Sequence, residues 1–278
     1  MTAEVFALTH GMRESARMVH PSAWLSWAGF AGLAAVTTTN PFYLLPIYGS
    51  AWIVHSTHRT PGPGARSFRI FLLFAAWAIA IRTGLVLLGP VDRGSVAIAF
   101  LEGLRLGALL TVFGTFNSVA DPFRVLKLAP RRFHEPALAA ALALSIAPRT
   151  ISSVERVREA QRMRGIEIGR WSALPALAVP VLATGMDDAM TLAESMDARG
   201  HGRGRRTRYR PDRWSPASTL VTGAAVLGAL AFVAAAIGGW GGLEPSTFPL
   251  QWPEASPALV GAALAFATPA LASPRGRE

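Results

Sequence analysis

The sequence contains no cysteine, a single lysine and few charged residues of any kind. Without cysteine, the chain has no disulfide, no zinc–thiolate site and no iron–sulfur cluster. The phosphate-binding loop of P-loop ATPases needs a lysine behind a run of glycines, but Lys127 stands in Val125-Leu126-Lys127-Leu128. The glycine-rich stretch His201-Gly202-Arg203-Gly204 lacks that lysine and is interpreted as a basic loop. These absences exclude a P-loop ATPase.

Charge is scarce along the whole chain of 278 residues. Only 16% of them are charged, where a soluble domain usually has about a quarter. Hydrophobic residues make up 51%, and the mean hydropathy is +0.34. The longest apolar blocks include residues 71–80 and 217–240. In lipid, such blocks most easily satisfy their backbone hydrogen bonds as helices, because those bonds are then internal. We therefore predict an all-α, polytopic membrane helical bundle.

The basic residues predict the topology. The net charge of +10 arises from 26 arginines and Lys127, and seven of the arginines fall between Arg199 and Arg213. The loop at residues 241–257 has none, so the positive-inside rule places the middle of the chain and both termini in the cytoplasm and this loop outside. About six spans fit this arrangement, at residues 24–36, 42–54, 68–88, 96–116, 217–239 and 257–271.

The chain is accordingly divided into three parts. Residues 1–120 form N-terminal transmembrane helices, residues 121–213 a cytoplasmic module, and residues 214–278 C-terminal transmembrane helices. Two apolar stretches of the middle part, 137–147 and 173–182, are too short or too broken by proline to span comfortably. We expect them to pack beneath the membrane or to dip into it.

A few polar residues fall inside or beside the predicted spans. Glu102 and Arg105 share a helix face, which fits either an ion pair against the bundle or a helix lying partly at the interface. Arg82 is expected to extend towards a membrane boundary. His55 and His58 are spaced to share a metal ion, but without a nearby carboxylate they are interpreted as a boundary pair.

The middle part contains a first helix that ends in arginine and glycine. It is predicted over residues 150–165, where Ser152 and Glu155 fit a capping box and Gly165 is a natural stop. One face of this helix is marked by Val154, Val157 and Gln161.

A second helix, predicted over residues 184–200, ends in the same way. Thr184 or Asp187 is expected to cap its start, and Gly200 to end it. It carries a predicted apolar stripe of Met186, Met190, Ala193 and, one turn over, Met196. An arginine in the last turn stabilises a helix by about 0.3–1 kcal/mol through the macrodipole, which explains one such ending. Two such arginines are also suited to bidentate docking in an acidic pocket of another protein. The sequence leaves both interpretations open, stabilisation of the helix ends and docking.

The two endings resemble the paired Ala-Arg-Gly signatures of a known family. Arg162-Met163-Arg164-Gly165 and Ala198-Arg199-Gly200 are similar to those of the transmembrane T component of energy-coupling factor transporters, the group that includes the cobalt-type Q subunit. The resemblance extends from about Pro21 to Gly200 and departs at Met163, where the family usually has alanine. Three further segments agree with it: Asn40-Pro41, Asp121-Pro122-Phe123-Arg124-Val125-Leu126 and Ala147-Pro148-Arg149.

This resemblance implies a multi-pass scaffold of the cell membrane without catalytic activity or cofactor. The two signature helices would be coupling helices that cross beneath the membrane and dock on two ATP-binding cassette ATPase subunits, with Arg164 and Arg199 as anchors. They would transmit ATP-driven motion to a substrate-binding S component for uptake of a vitamin or transition metal. The implied ATPase-docking residues are Arg162, Arg164, Gly165, Ala198, Arg199 and Gly200, and the implied S-component contacts are Met186, Met190 and Met196.

Three other classes of protein are weighed against this one. A self-contained secondary transporter usually carries polar groups at the membrane midplane and inverted repeats, whereas the polar residues here are concentrated in the middle segment. An intramembrane hydrolase lacks support because neither His-Glu-x-x-His nor Gly-x-Ser-x-Gly occurs. A nucleic-acid binder is suggested by the arginines of residues 203–213, but only Tyr209 and Trp214 accompany them. We interpret that cluster as a solvated patch or one facing anionic lipid, and expect no nucleic-acid partner.

Overall fold

The computed structural model describes residues 19–58, 63–89, 92–165, 174–201, 212–246 and 251–272. The predicted N-terminal segment before the first span, most of the arginine cluster and the basic C-terminal end lie outside these residues. Over the described ranges the secondary structure is helical and contains no strand. The helices are α1 (Pro21–Val36), α2 (Pro41–His58), α3 (Pro63–Val86), α4 (Arg93–Val119), α5 (Pro122–Leu126), α6 (His134–Met163), α7 (Leu174–Ala198), α8 (Pro216–Gly238) and α9 (Pro257–Ala265), with 3₁₀ turns at Arg131–Phe133 and Thr268–Ala272.

Proline and short polar side chains determine where many of these helices begin. Six of them start on a proline, whose fixed φ suits the first helical turn and whose missing N–H is not needed there. Asp92 caps α4 by accepting a hydrogen bond from the Gly94 N–H at 3.0 Å. Ser215 caps α8 in the same way through the Ser218 N–H at 3.2 Å. The local sequence thus marks these helix starts directly.

The chain forms two compact units. The first contains the described residues up to Leu128 together with those from Asp212 onwards. In it, α1 packs against α8, α2 packs against α4 and α9, and α3 forms a close hairpin with α4. The Trp27 Nε1–H donates to the Phe266 carbonyl oxygen at 2.8 Å and joins α1 to the C-cap of α9. The largest fully buried side chains of this unit are Trp27, Tyr43, Phe232 and Phe266.

A buried polar clamp joins the turn between α1 and α2 to the loop that follows α8. The Asn40 side-chain amide donates to the carbonyl oxygens of Gly242 and Glu254, both at 2.7 Å. The Thr38 hydroxyl donates to the Leu243 carbonyl at 2.8 Å, and the Tyr43 hydroxyl donates to Gly241. The predicted break at Asn40-Pro41 therefore separates two helices and also holds a distant loop.

Among the described helices, four are long and apolar enough to cross a membrane. They are Ser67–Val86, Arg93–Val119, His134–Met163 and Pro216–Gly238. Three coincide with predicted spans, and the all-α membrane fold is confirmed. The remaining one is α6, which was predicted as two separate segments of the cytoplasmic module. The other predicted spans are shorter helices, α1 with 16 residues, α2 with 18 and α9 with 9.

The structure pairs the polar residues of the spans differently from the sequence. Glu102 forms its ion pair with Arg82 of α3 and not with Arg105. Packing explains the difference, because α3 and α4 approach closely: a Cβ atom added at Gly103 would lie 2.9 Å from Ile79 Cα. His55 Nδ1 lies 2.7 Å from Ser118 Oγ, and its ring stacks on Phe68 at a centroid distance of 3.7 Å.

Candidate docking surface of the two arginine–glycine helix ends

The second unit comprises the described residues between Ala129 and Pro211 and contains α6 and α7, which contact each other. Helix α6 is continuous from His134 to Met163, so the predicted start near Ser152 is wrong. The Ser152 hydroxyl donates backwards to the Arg149 carbonyl at 2.7 Å, as an interior helix serine does, and caps nothing. The alanine- and leucine-rich stretch before Pro148 has high helix propensity, and the helix continues through this proline.

Helix α7 likewise begins earlier than predicted, at Leu174. Thr184 lies inside it and donates from its hydroxyl to the Pro180 carbonyl at 2.7 Å. Asp187 is also interior, since its carbonyl accepts the Thr191 hydroxyl at 2.9 Å. Neither residue is the N-cap that the sequence suggested, because Pro180 is accommodated within the helix.

The two helix ends adopt the same backbone geometry. Gly165 has φ of 75° and Gly200 has φ of 76°, both in the left-handed region that glycine enters without a steric penalty. The Gly165 N–H donates to the Arg162 carbonyl at 2.9 Å, and the Gly200 N–H donates to the Asp197 carbonyl at 2.8 Å. After Gly200, the His201 N–H donates to the Met196 carbonyl at 2.9 Å, which completes a Schellman motif.

The signature side chains lie on the surface. Arg162, Arg164, Ala198 and Arg199 are exposed, and Met163 is 84% exposed. In the part of the chain that the structure describes, neither Arg164 nor Arg199 forms an ion pair. Each end therefore presents an uncompensated guanidinium beside an open glycine, with no atom within 4 Å of where a Cβ of Gly165 or Gly200 would stand.

The predicted face of α6 is more buried than the rest of the helix surface. Val154, Val157 and Gln161 are half-buried, whereas the neighbouring Arg156 and Arg158 are exposed. None of the described side chains of α6 is fully buried. The helix therefore has an inner side towards its own unit and leaves its charged side open.

An exposed apolar stripe runs along α7 and is longer than the sequence indicated. Met186 and Met190 are 68% and 64% exposed, and Val179 and Leu182 continue the same face at 70% and 65%. Positions 179, 182, 186 and 190 repeat at helical spacing and lie on one side. Met196 is half-buried and lies off this stripe. Val179 and Leu182 were missed because the helix was predicted to begin at Thr184, although their spacing from Met186 was visible.

The described residues contain no group of three or more histidine or acidic side chains able to hold a metal ion. The second unit exposes guanidinium groups, left-handed glycines and the apolar stripe. Arginine binds carboxylates through two parallel hydrogen bonds, and methionine-rich surfaces adapt to apolar partners. This combination is suited to docking other proteins.

Comparison with known proteins gives related sequences, although no family model matches the chain. The chain is 38% identical over 124 residues to the energy-coupling factor transporter transmembrane protein EcfT of Listeria innocua, a match over 42% of this chain and 46% of that protein. It is 29% identical over 159 residues to EcfT of Bacillus subtilis, over 52% of this chain and 59% of that protein. EcfT of Bacillus selenitireducens is 31% identical over 160 residues, with the same two shares.

The chain thus spans about half the length of the relatives that it matches. The matches confirm the resemblance to the T component and do not specify the cobalt-type Q subunit. Together with the membrane-length helices they identify a multi-pass membrane protein. Over its matched part, the chain is similar to the energy-coupling factor transporter transmembrane proteins, the T components.

Proposed function

We propose that this chain is the transmembrane coupling subunit of an energy-coupling factor importer. It transmits the ATP-driven motion of two ATP-binding cassette ATPase subunits to a substrate-binding S component, which takes up a vitamin or a transition metal. The observation that carries the proposal is the pair of exposed helix ends, each with arginine directly before a glycine at a φ near 75°.

Arg164 and Arg199 are the proposed anchors on the two ATPases. Both guanidinium groups are exposed and form no ion pair among the described residues, so they are available to acidic side chains of a partner. A bidentate arginine–carboxylate pair fixes direction as well as distance, as a helix that transmits motion requires. Gly165 and Gly200 let a partner backbone approach, because the space where a side chain would stand is open. Arg162 and Ala198 flank these anchors as secondary docking residues.

The stripe on α7 is the proposed contact with the S component. Met186 and Met190 belong to it, and Val179 and Leu182 extend it to about 16 Å at 1.5 Å per residue. Met196, half-buried, is assigned a supporting position at the edge of this contact. Flexible methionines suit a surface that remains in contact while its partner tilts.

The energy for transport has to come from another chain. The one lysine of this sequence lacks the glycine-rich loop that holds ATP phosphates, so hydrolysis takes place on the ATPase subunits. The chain is therefore a non-catalytic subunit that holds no cofactor, and its part in the cycle is mechanical.

The proposal is tested by co-expressing the chain with its candidate ATPase pair and purifying through the ATPases in detergent. The double variant Arg164→Ala/Arg199→Ala is compared with a control, Arg149→Ala/Arg158→Ala, which removes the same charge from exposed positions of α6. We expect the wild type and the control to co-purify and the anchor variant to be lost by at least tenfold.

Two outcomes would overturn the proposal. One is a wild-type chain that does not associate with any ATPase pair encoded by the same organism. The other is an anchor variant that co-purifies as well as the control. In either case a self-contained secondary transporter becomes the leading alternative.

A further inference from the structure

The first unit contains an apolar groove along α8 that the coupling function does not use. Its volume is about 790 Å³. It runs from Trp214, just before the helix, to Leu227, a length of about 20 Å at 1.5 Å per residue. Its lining is formed by Trp214, Pro216, Thr219, Leu220, Gly223 and Leu227.

The shape of the groove suits a single acyl chain. Leu220 and Leu227 stand exposed on its walls at helical spacing, and Gly223 between them leaves the floor open. No atom lies within 4 Å of where a Cβ of Gly223 would stand, so the space above this glycine is open. The apolar lining from Pro216 to Leu227 is about 16 Å long at 1.5 Å per residue, close to the depth of half a bilayer's hydrocarbon core, about 15 Å.

Trp214 lies at one end of the groove, and the basic residue Arg213 stands directly before it in the chain. Trp214 is half-exposed there and its Nε1–H donates to the Thr219 hydroxyl at 2.7 Å, the placement of an aromatic residue at a membrane interface. Arg213 is exposed, and within the described residues it has no ion-pair partner. The adjacent carboxylate, Asp212, is already bound to Arg124 at 2.9 Å.

Further arginines precede Arg213 in the sequence. Five arginines precede Arg213 within eleven positions, at 203, 205, 206, 208 and 210. By the positive-inside rule this end faces the cytoplasm, where anionic lipids give the membrane surface its negative potential. An apolar slot of one-leaflet length beside an uncompensated arginine fits a lipid with a negatively charged headgroup.

We propose that this groove binds one anionic phospholipid of the cytoplasmic leaflet. One acyl chain lies along α8 between Pro216 and Leu227, and the headgroup phosphate binds Arg213 beside the Trp214 ring. The lipid covers an apolar face of the first unit and is independent of how the second unit docks.

Native mass spectrometry of the full-length chain in detergent tests this proposal. The protein is titrated with dioleoyl phosphatidylglycerol and with dioleoyl phosphatidylcholine, which share acyl chains and differ in headgroup charge. Since a basic residue near the surface contributes about 1 kcal/mol, the first bound phosphatidylglycerol should be favoured by about fivefold or more.

Two matched pairs of variants locate the site. Arg213→Gln should reduce the preference for phosphatidylglycerol about fivefold, while Arg69→Gln, an exposed arginine outside the groove, should leave it unchanged. Gly223→Leu fills the groove and should weaken both lipids. Gly84→Leu, at a helical glycine in equally open space on α3, should weaken neither.

A photoreactive phosphatidylglycerol provides a readout that does not depend on the folding of any variant. Its cross-links should map to residues 214–227 of the wild type. The proposal is overturned by equal binding of the two lipids, by cross-links spread evenly over all the spans, or by Arg69→Gln acting as strongly as Arg213→Gln. Cross-links found only outside residues 214–227 would also overturn it.

Discussion

Gly165 and Gly200 end two different helices at nearly the same backbone angle, φ of 75° and 76°. Each directly follows an arginine, and neither has an atom of the described chain pressed against the position of a missing Cβ. Glycine is therefore required there for its conformation and not for a lack of space. The two ends are built alike before any partner is present.

Alanine at either position should loosen the helix end. A residue with a Cβ loses about 1–2 kcal/mol in the left-handed region. We expect Gly165→Ala and Gly200→Ala to speed hydrogen exchange of the last-turn amides by about fivefold or more. Gly185→Ala is the control, since this glycine lies inside α7 in open space and alanine there should stabilise the helix by about 0.5–1 kcal/mol. Equal effects at the three positions would contradict the assigned conformations.

Replacing Asn40 should release the loop after α8. Asn40→Ala leaves the part-buried Gly242 and Glu254 carbonyl oxygens without their donor, and each lost hydrogen bond costs about 0.5–1.5 kcal/mol. We expect a lower thermal unfolding temperature in detergent. Asn117→Ala is the comparison, because that exposed side chain bonds only Ser67 among the described residues, and its loss should change the unfolding temperature little.

The ion pair between Arg82 and Glu102 should appear as coupling in a double-mutant cycle. Removing one partner leaves an unpaired, partly exposed charge on a membrane-length helix, at a cost of up to about 2–3 kcal/mol. Arg82→Leu and Glu102→Leu should each destabilise more than the double variant does. The same cycle with Arg105 in place of Arg82 should be additive. Coupling of Glu102 to Arg105 alone would instead support the pair that the sequence suggested.

Replacing Trp27 should reduce the free energy of unfolding more than replacing Trp77 does. It is fully buried, and its indole N–H holds the Phe266 carbonyl. Trp27→Ala removes a large core side chain and should cost about 3–5 kcal/mol, measured by thermal or denaturant unfolding. Trp77→Ala, at an exposed position of α3, should cost much less. Similar losses at the two sites would show that the assigned core is incorrect.

Polar substitutions in the α7 stripe should weaken binding of the proposed S component without weakening binding of the ATPases. Met186→Gln/Met190→Gln should reduce retention of an S component while the ATPases still co-purify, because the arginine ends are intact. Ile151→Gln is the control, an exposed apolar residue on α6 outside the stripe. Joint loss of both partners would indicate damage to the second unit as a whole.

Some features followed from short stretches of sequence. Low charge and long apolar blocks predicted the all-α membrane fold, because an unpaired backbone is too costly in lipid. The stops at Gly165 and Gly200 and the break at Asn40-Pro41 were also predicted, since glycine and proline act on the backbone angles of their own positions. The family resemblance came from the same local motifs.

Other features depended on how far each helix extends. Ser152 and Thr184 look like caps in isolation, but the helices continue through Pro148 and Pro180, so both residues lie inside. Val179 and Leu182 joined the stripe only once α7 was known to begin earlier.

By itself, the sequence determined the helical membrane character, the arginine–glycine endings and the relation to T components. The tertiary structure alone decided that Glu102 binds Arg82, that Asn40 holds the Gly242 loop, and that a groove opens along α8. The physical reason is that local conformation depends on neighbouring residues in the chain. Pairing and cavities instead depend on which helix faces meet, and hydrophobic spacing restricts that choice without specifying it.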